Sequence, residues 1–122
     1  MIVFEFEQEP VWYQALELAD HLTLLANSVS KQDQAALGEP IRRFGIALAT
    51  DIAAACGVSD PPRESKYYYQ IAEANVYKLA TLIKIMLRRE YLTLEQYHNV
   101  SQQLEDIAAA LVRLYDRNRL EN

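Results

Sequence analysis

Scarcity is the first informative feature of this 122-residue chain. Its one cysteine, Cys56, cannot close an intrachain disulfide, and Met1 to Glu9 sets apolar residues against carboxylates in place of a leader's apolar core. A reducing cytoplasm is therefore the expected setting. Three glycines and four prolines are too few for a turn-rich β-fold or a fibrous repeat. The longest apolar run, Phe44 to Val58, is broken by Thr50 and Asp51 and falls short of the roughly 20 residues that cross a bilayer, so no membrane span is expected. There is no glycine-rich phosphate loop and no Gly-x-Ser-x-Gly turn. A net charge of −5 and a pI near 5.0 argue against a general nucleic-acid binder, whose affinity rests on neutralising phosphates.

What the chain does contain is helical spacing. With 51% apolar and 24% charged residues it has the balance of one packed domain, with no internal repeat. Pro10 suits a first turn, and Val11, Ala15, Leu18, Leu22 and Leu25 then follow in steps of four and three. Asn27 to Gln34 is polar and ends this helix. A second helix over about 36–56 places Leu37, Ile41, Phe44, Leu48, Ile52 and Ala55 in register. Gly57, suited to a left-handed cap, and Ser59-Asp60-Pro61-Pro62 then separate it from a third helix over 62–89. That helix aligns Tyr69, Ala72, Val76, Leu79, Ile83 and Met86. Thr93-Leu94-Glu95-Gln96 has the form of a capping box, opening a fourth helix over 94–118 with Tyr97, Val100, Leu104, Ile107, Leu111 and Leu114 in register. Short connections make sequential helices antiparallel neighbours. The expected fold is all-α, an up-down-up-down antiparallel four-helix bundle in a single domain.

The second helix carries the informative anomaly. Gly45, Ile46, Ala47, Ala49, Ala53 and Ala54 make its other faces apolar too, whereas a bundle helix should keep a polar side for water. Something beyond its own bundle is therefore expected to cover it. Asp51 is the lone charge in this stretch and costly to bury unpaired, so it is expected to meet a cation, Lys78 or Arg42 of a neighbouring subunit, as a register-setting pair. The tyrosines concentrated on the third helix and the turn after it, Tyr77 among them, suit packing or an interface, with base stacking as a third option.

Chemistry has little foothold. Glu95 and His98 make one Glu-x-x-His, where di-iron bundles need two with further carboxylates, and both flank the buried face as surface residues. His21, beside Asp20, reads as a solvated helix residue. Glu17 and Asp20 resemble half of a magnesium site, but Glu105-Asp106 has the wrong spacing to be the other half. Cys56, with no histidine near it in sequence, reads as a small core residue. No catalytic residue, metal ligand or cofactor is assigned. If the helices alternate, Arg42, Arg43, Lys84, Arg88 and Arg89 gather at one end, opposite Glu5, Glu7 and Glu9. Those cations complement the dipole at the end of the third helix, or form an anion or nucleic-acid contact.

Several segments, in order, carry a resemblance: Val11-Trp12-Tyr13-Gln14-Ala15, Ile41-Arg42-Arg43 with Ile52-Ala53, Ile71-Ala72, and Tyr91-Leu92-Thr93-Leu94-Glu95-Gln96-Tyr97. From about Val11 to Arg117 the chain resembles the small bacterial four-helix-bundle proteins first noticed as open reading frames inside intervening sequences of large-subunit ribosomal RNA genes. Where that family tends to read Ser-Ile-Pro-x-Asn-Ile-Ala-Glu-Gly, this chain has Ala47 to Ala55 without those polar positions. The family is similar to the accessory protein of diversity-generating retroelements, a basic pentameric barrel that binds nucleic acid and a reverse transcriptase. The resemblance implies a cyclic homo-oligomer, a pentamer, which would bury the second apolar side of helix two. The interface is then expected at Gly45, Ala49, Asp51, Ile52, Ala53 and Tyr77. The function expected is a non-catalytic cytoplasmic scaffold or adaptor whose partners are copies of itself, with another protein left open. The alternative is a nucleic-acid-binding accessory factor using the basic end, and a metal-dependent hydrolase is a remote third.

Overall fold

The computed structural model describes residues 4–58 and 62–121. A 3-10 turn at Glu5–Gln8 precedes helices α1 (Pro10–Asn27), α2 (Glu39–Gly57), α3 (Pro62–Arg88) and α4 (Leu94–Glu121), and no strand occurs among the described residues. Each helix touches its neighbours in sequence and α1 also touches α4, so the four stand at the corners of a square. Contacts between their ends establish alternating directions. Ser65 at the start of α3 donates its hydroxyl to Ala55 O near the end of α2 at 2.8 Å, and Arg117 late in α4 pairs with Glu9 before α1 at 2.6 Å.

The stripes read from helical spacing form the core. Leu18 and Leu22 of α1, Ile41, Leu48 and Ile52 of α2, Leu79, Ile83 and Met86 of α3, and Val100 of α4 are fully buried. Removing these side chains from water is the main force holding the helices together. No buried side-chain polar atom among the described residues lacks a hydrogen-bond partner.

The ends are built by specific caps. Pro10 opens α1, where its missing N–H costs nothing. Thr93 Oγ1 accepts from Gln96 N at 3.1 Å and Gln96 Oε1 accepts from Thr93 N at 2.9 Å, so the capping box is made from both sides. α3 stops where Tyr91 N donates to Met86 O at 2.9 Å and Glu90 N to Leu87 O at 3.0 Å, a Schellman closure with Glu90 at φ 65 in the left-handed position usually held by glycine. Gly57 does not take a left-handed conformation: it is the last residue of α2, and Val58 N closes the helix on Ala54 O at 2.9 Å. The remainder of that expected stop, Ser59 to Pro61, lies outside the described residues.

The α1–α2 connection is more ordered than its polar sequence suggests. A 3-10 turn, Lys31–Asp33, runs into a wide π turn, Gln34–Gly38, that continues directly into α2. Gln34 Nε2 donates to Ala26 O and Val29 O, both at 2.8 Å, and so ties the turn back to the end of α1 and the residues after it. Gly38 leaves room for this amide, because a Cβ there would collide with Gln34 Oε1 and push the side chain off its partners.

α2 packs tightly on α1 at Gly45, where an added Cβ would stand 3.1 Å from Leu22 Cδ1 and 3.7 Å from Ala19 Cα. Gly45→Val should therefore overpack the α1–α2 seam and lower the unfolding free energy by about 1–3 kcal/mol. Urea denaturation monitored by helical circular dichroism measures this, and an unchanged midpoint would show that the seam is loose.

Candidate functional site

The structure disperses the expected interface residues. Gly45, Ala49 and Ile52 are buried in the chain's own core, Ile52 completely. In the single chain these three therefore offer little surface to a neighbouring subunit, and Gly45 packs against Ala19 and Leu22 of α1. Asp51 and Ala53 are half-buried, and Tyr77 is 62% exposed on α3, its hydroxyl 3.4 Å from Glu73 Oε1. The turn Glu5–Gln8 of the same chain also packs on helix α2, and Phe4, Glu5 and Phe6 face Ala53, Ala54 and Gly57 across an open hollow of about 560 Å3. The rings of Phe4, Phe6, Trp12 and Tyr13 form a ladder with successive centroids 5.5, 5.0 and 5.0 Å apart. Alternating aromatic and acidic residues at Phe4 to Glu7 were its only sequence signal.

Asp51 finds its partner within the chain. Asn75 Nδ2 of α3 donates to Asp51 Oδ2 at 2.8 Å, and Asn75 itself is 4% exposed. Burial pushes the Asp51 carboxyl above its ordinary value, against the opposing pull of the Asn75 bond and the charge of Lys78. Lys78 is thus a neighbour on the same chain, and Arg42 turns elsewhere. Two cations also converge on one ring, with Lys78 Nζ 4.9 Å and Arg43 Cζ 5.0 Å from the Phe44 centroid.

The basic end does form where α1 and α3 finish and α2 and α4 begin, but its side chains are turned to local tasks. Arg42 donates to Asn27 Oδ1 at 3.2 Å and to Gln34 Oε1 at 3.0 Å. Arg43 pairs with Glu39 at 3.3 Å, and Arg89 with Asp33 at 3.5 Å. Tyr91 Oη donates to Asp33 Oδ2 at 2.5 Å and meets Ser30 Oγ at 2.8 Å, tying the two connections at this end together. Lys84 Nζ lies 4.4 Å from the Tyr97 ring centroid, and its bond to the phenol holds Tyr97 below its ordinary pKa. Arg88 is exposed.

Glu95 and His98 are exposed, as are Glu17 and Asp20. Among the described residues no group of three or more His, Cys, Asp or Glu side chains could hold a metal ion. His21 differs from its reading as a solvated residue: it is half-buried, and its Nδ1 donates to Gln103 Oε1 of α4 at 2.9 Å. A cleft of about 210 Å3 between α3 and α4, floored by Tyr69, Leu111 and Tyr115, is smaller than the ~300 Å3 at which ligand pockets begin. No helix is long and apolar enough to cross a membrane among the described residues.

These features define an all-α four-helix bundle whose polar groups mostly serve its own seams and ends. Residues 7–113 match the model of the 23S rRNA-intervening sequence protein family. The chain belongs to that family. It is also similar to the crystal structure, at 1.70 Å resolution, of a protein of unknown function from the S23 ribosomal protein family of Bacteroides thetaiotaomicron VPI-5482. The two share 21% identity and a TM-score of 0.77 over 87% of this chain and 95% of that one, a likeness of fold. No curated protein matches the chain.

Cys56 is half-buried, and burial, reinforced by the charge of Glu9, pushes its thiol up to about 11 from 9.0. In the folded protein at pH 8 it should alkylate on the order of 100-fold more slowly than in urea, because that shift depletes the thiolate. Iodoacetamide labelling followed by mass spectrometry measures the ratio, and equal rates would place the thiol in open solvent.

Proposed function

We propose that the protein is a non-catalytic, cytoplasmic scaffold that assembles with copies of itself into a ring, a pentamer as its family resemblance implies, and presents that ring to a further protein. The observation carrying this reading is the outer side of the α2–α3 seam. On α2, Phe44, Ala47, Asp51 and Ala54 follow in steps of three and four. On α3, Ile71, Asn75, Lys78, Leu82 and Ile85 do the same, and the Asp51–Asn75 bond marks where the rows meet. Phe44, Ala47, Ala54, Ile71, Leu82 and Ile85 all remain half-exposed. An apolar strip along one whole side of a bundle is the kind of surface that marks an interaction site. Asp51, Ala53 and Tyr77 remain with this reading as residues that keep surface for an interface.

The alternative is a nucleic-acid accessory factor contacting phosphates through Arg42, Arg43, Lys84, Arg88 and Arg89. The bonds already made by Arg42 and Arg89 weigh against it, because a phosphate would have to displace them. The net charge of −5 opposes approach to a polyanion as well.

Native mass spectrometry at low micromolar concentration separates these readings. Assembly into a pentamer predicts a species near 70 kDa, five times the 14.0 kDa chain. A 14.0 kDa monomer at every concentration would remove the scaffold reading. The same sample titrated with RNA at low salt should show no bound species, whereas binding that weakens steeply with salt would favour the accessory-factor reading.

A further inference from the structure

The segment before α1 lies on the bundle without entering its core. None of the residues Glu5–Gln8 is buried, and Phe4 is 66% exposed. The turn packs on α2 and yet stands off from it across the hollow that Phe4, Glu5 and Phe6 share with Ala53, Ala54 and Gly57. Its backbone bonds are local: Glu7 N donates to Phe4 O at 3.0 Å, Glu9 N to Phe6 O at 3.1 Å and Trp12 N to Glu9 O at 3.1 Å. Two side-chain contacts tie it down. The Phe6 ring meets the edge of Trp12 with centroids 5.0 Å apart, and Glu9 holds Arg117 of α4 at 2.6 Å. A segment with so little buried apolar surface belongs to the least stable part of a fold, so this one ion pair carries a large share of its attachment.

What lies beside the ion pair is the end of α2. Cys56 sits between Ala53 and Gly57 in the last turn of that helix, and the charges of both partners reach it: Glu9 pushes its thiol up and Arg117 draws it down. The thiol, the apolar end of α2 and the edge of Trp12 are therefore neighbours of one exposed contact between the two ends of the chain.

We infer that Phe4–Glu9 is a strap, latched to α4 by Arg117, whose opening about Glu9 uncovers the end of α2, the edge of Trp12 and the thiol of Cys56. Glu9 is extended, at φ −92 and ψ 119, and the next residue, Pro10, already begins α1, so the strap swings at the boundary of an element and leaves the helix wound. Closed, it sets the carboxylates of Glu5 and Glu7 before this end of the bundle. Open, it bares Ala53, Ala54 and the ring of Phe6, surface that a soluble protein keeps covered when it is not in use. Salt controls the latch, because both partners keep contact with solvent: the side chains of Arg117 and Glu9 are 52% and 24% exposed. The device lies within one chain and requires no second copy.

The test compares the full-length wild type with Arg117→Glu, which sets two carboxylates against each other at the latch. Trp12 is the chain's one tryptophan, so quenching of its fluorescence by acrylamide, an uncharged probe, reports the strap directly. The quenching constant should rise in the variant, and iodoacetamide should alkylate Cys56 at least about threefold faster, within the range set by an exposed ion pair. The direction is diagnostic. Exchanging the cation of Arg117 for an anion raises the thiol further, so with the strap still closed alkylation would slow instead. Circular dichroism melting checks that the bundle stays folded. Unchanged quenching, or alkylation that slows, overturns the strap. The wild type carries the same test without a substitution: sodium chloride raised to about 1 M screens the pair and should increase the quenching constant, and a flat response overturns the latch as well.

Discussion

The structure depends on how many sides of α2 can be taken out of water. One side faces the common core through Ile41, Leu48 and Ile52, and a second meets α1 at Gly45, where only a hydrogen fits comfortably beneath Leu22. A third meets α3 through Asp51–Asn75 and Ser65–Ala55, two side-chain bonds that set its position against α2. Part of the outer surface meets the turn Glu5–Gln8. A helix this apolar would be a liability alone in water, and each neighbouring element answers one of its faces.

The polar residues follow from the same arrangement. Because the helices meet their partners end to end, the groups at each end satisfy one another. Gln34 donates to Ala26 O and Val29 O and in turn accepts from Arg42. Asp33 receives both Tyr91 and Arg89, and Glu9 receives Arg117. Exposed ion pairs of this kind add only about 0–1 kcal/mol each, so their effect is to fix how the connections lie more than to hold the bundle together. Side chains committed in this way are poorly placed to serve a phosphate. Along α2 and α3, by contrast, Phe44, Ala47, Ala54, Ile71, Leu82 and Ile85 keep part of their apolar surface exposed.

Much of this was legible in one dimension. The four stripes, the start of α1 at Pro10, the capping box at Thr93 and Gln96, and the family resemblance all depend on residues within a few positions of one another, and helical spacing makes such relations local. The site was less legible. Apolar residues around α2 pointed to an unseen neighbour, yet Gly45, Ala49 and Ile52 face the chain's own core, because composition does not say which of several apolar faces is turned inward. Asp51 signalled a buried polar contact, and its partner proved to be an uncharged amide 24 residues away on α3. His21 looked solvated from its acidic neighbour until α4 brought Gln103 to it.

The sequence by itself determined the class of fold, the span of each helix to within a few residues, and the absence of a span long enough for a membrane, since these follow from period, caps and run length. Only the tertiary structure decided which apolar face of α2 stays outside, that the rings of Phe4, Phe6, Trp12 and Tyr13 form a ladder, and that Arg43 and Lys78 converge on Phe44. The reason is physical: helical periodicity places side chains around a single axis, whereas the meeting of side chains from different axes is set by how closely each pair of helices can pack.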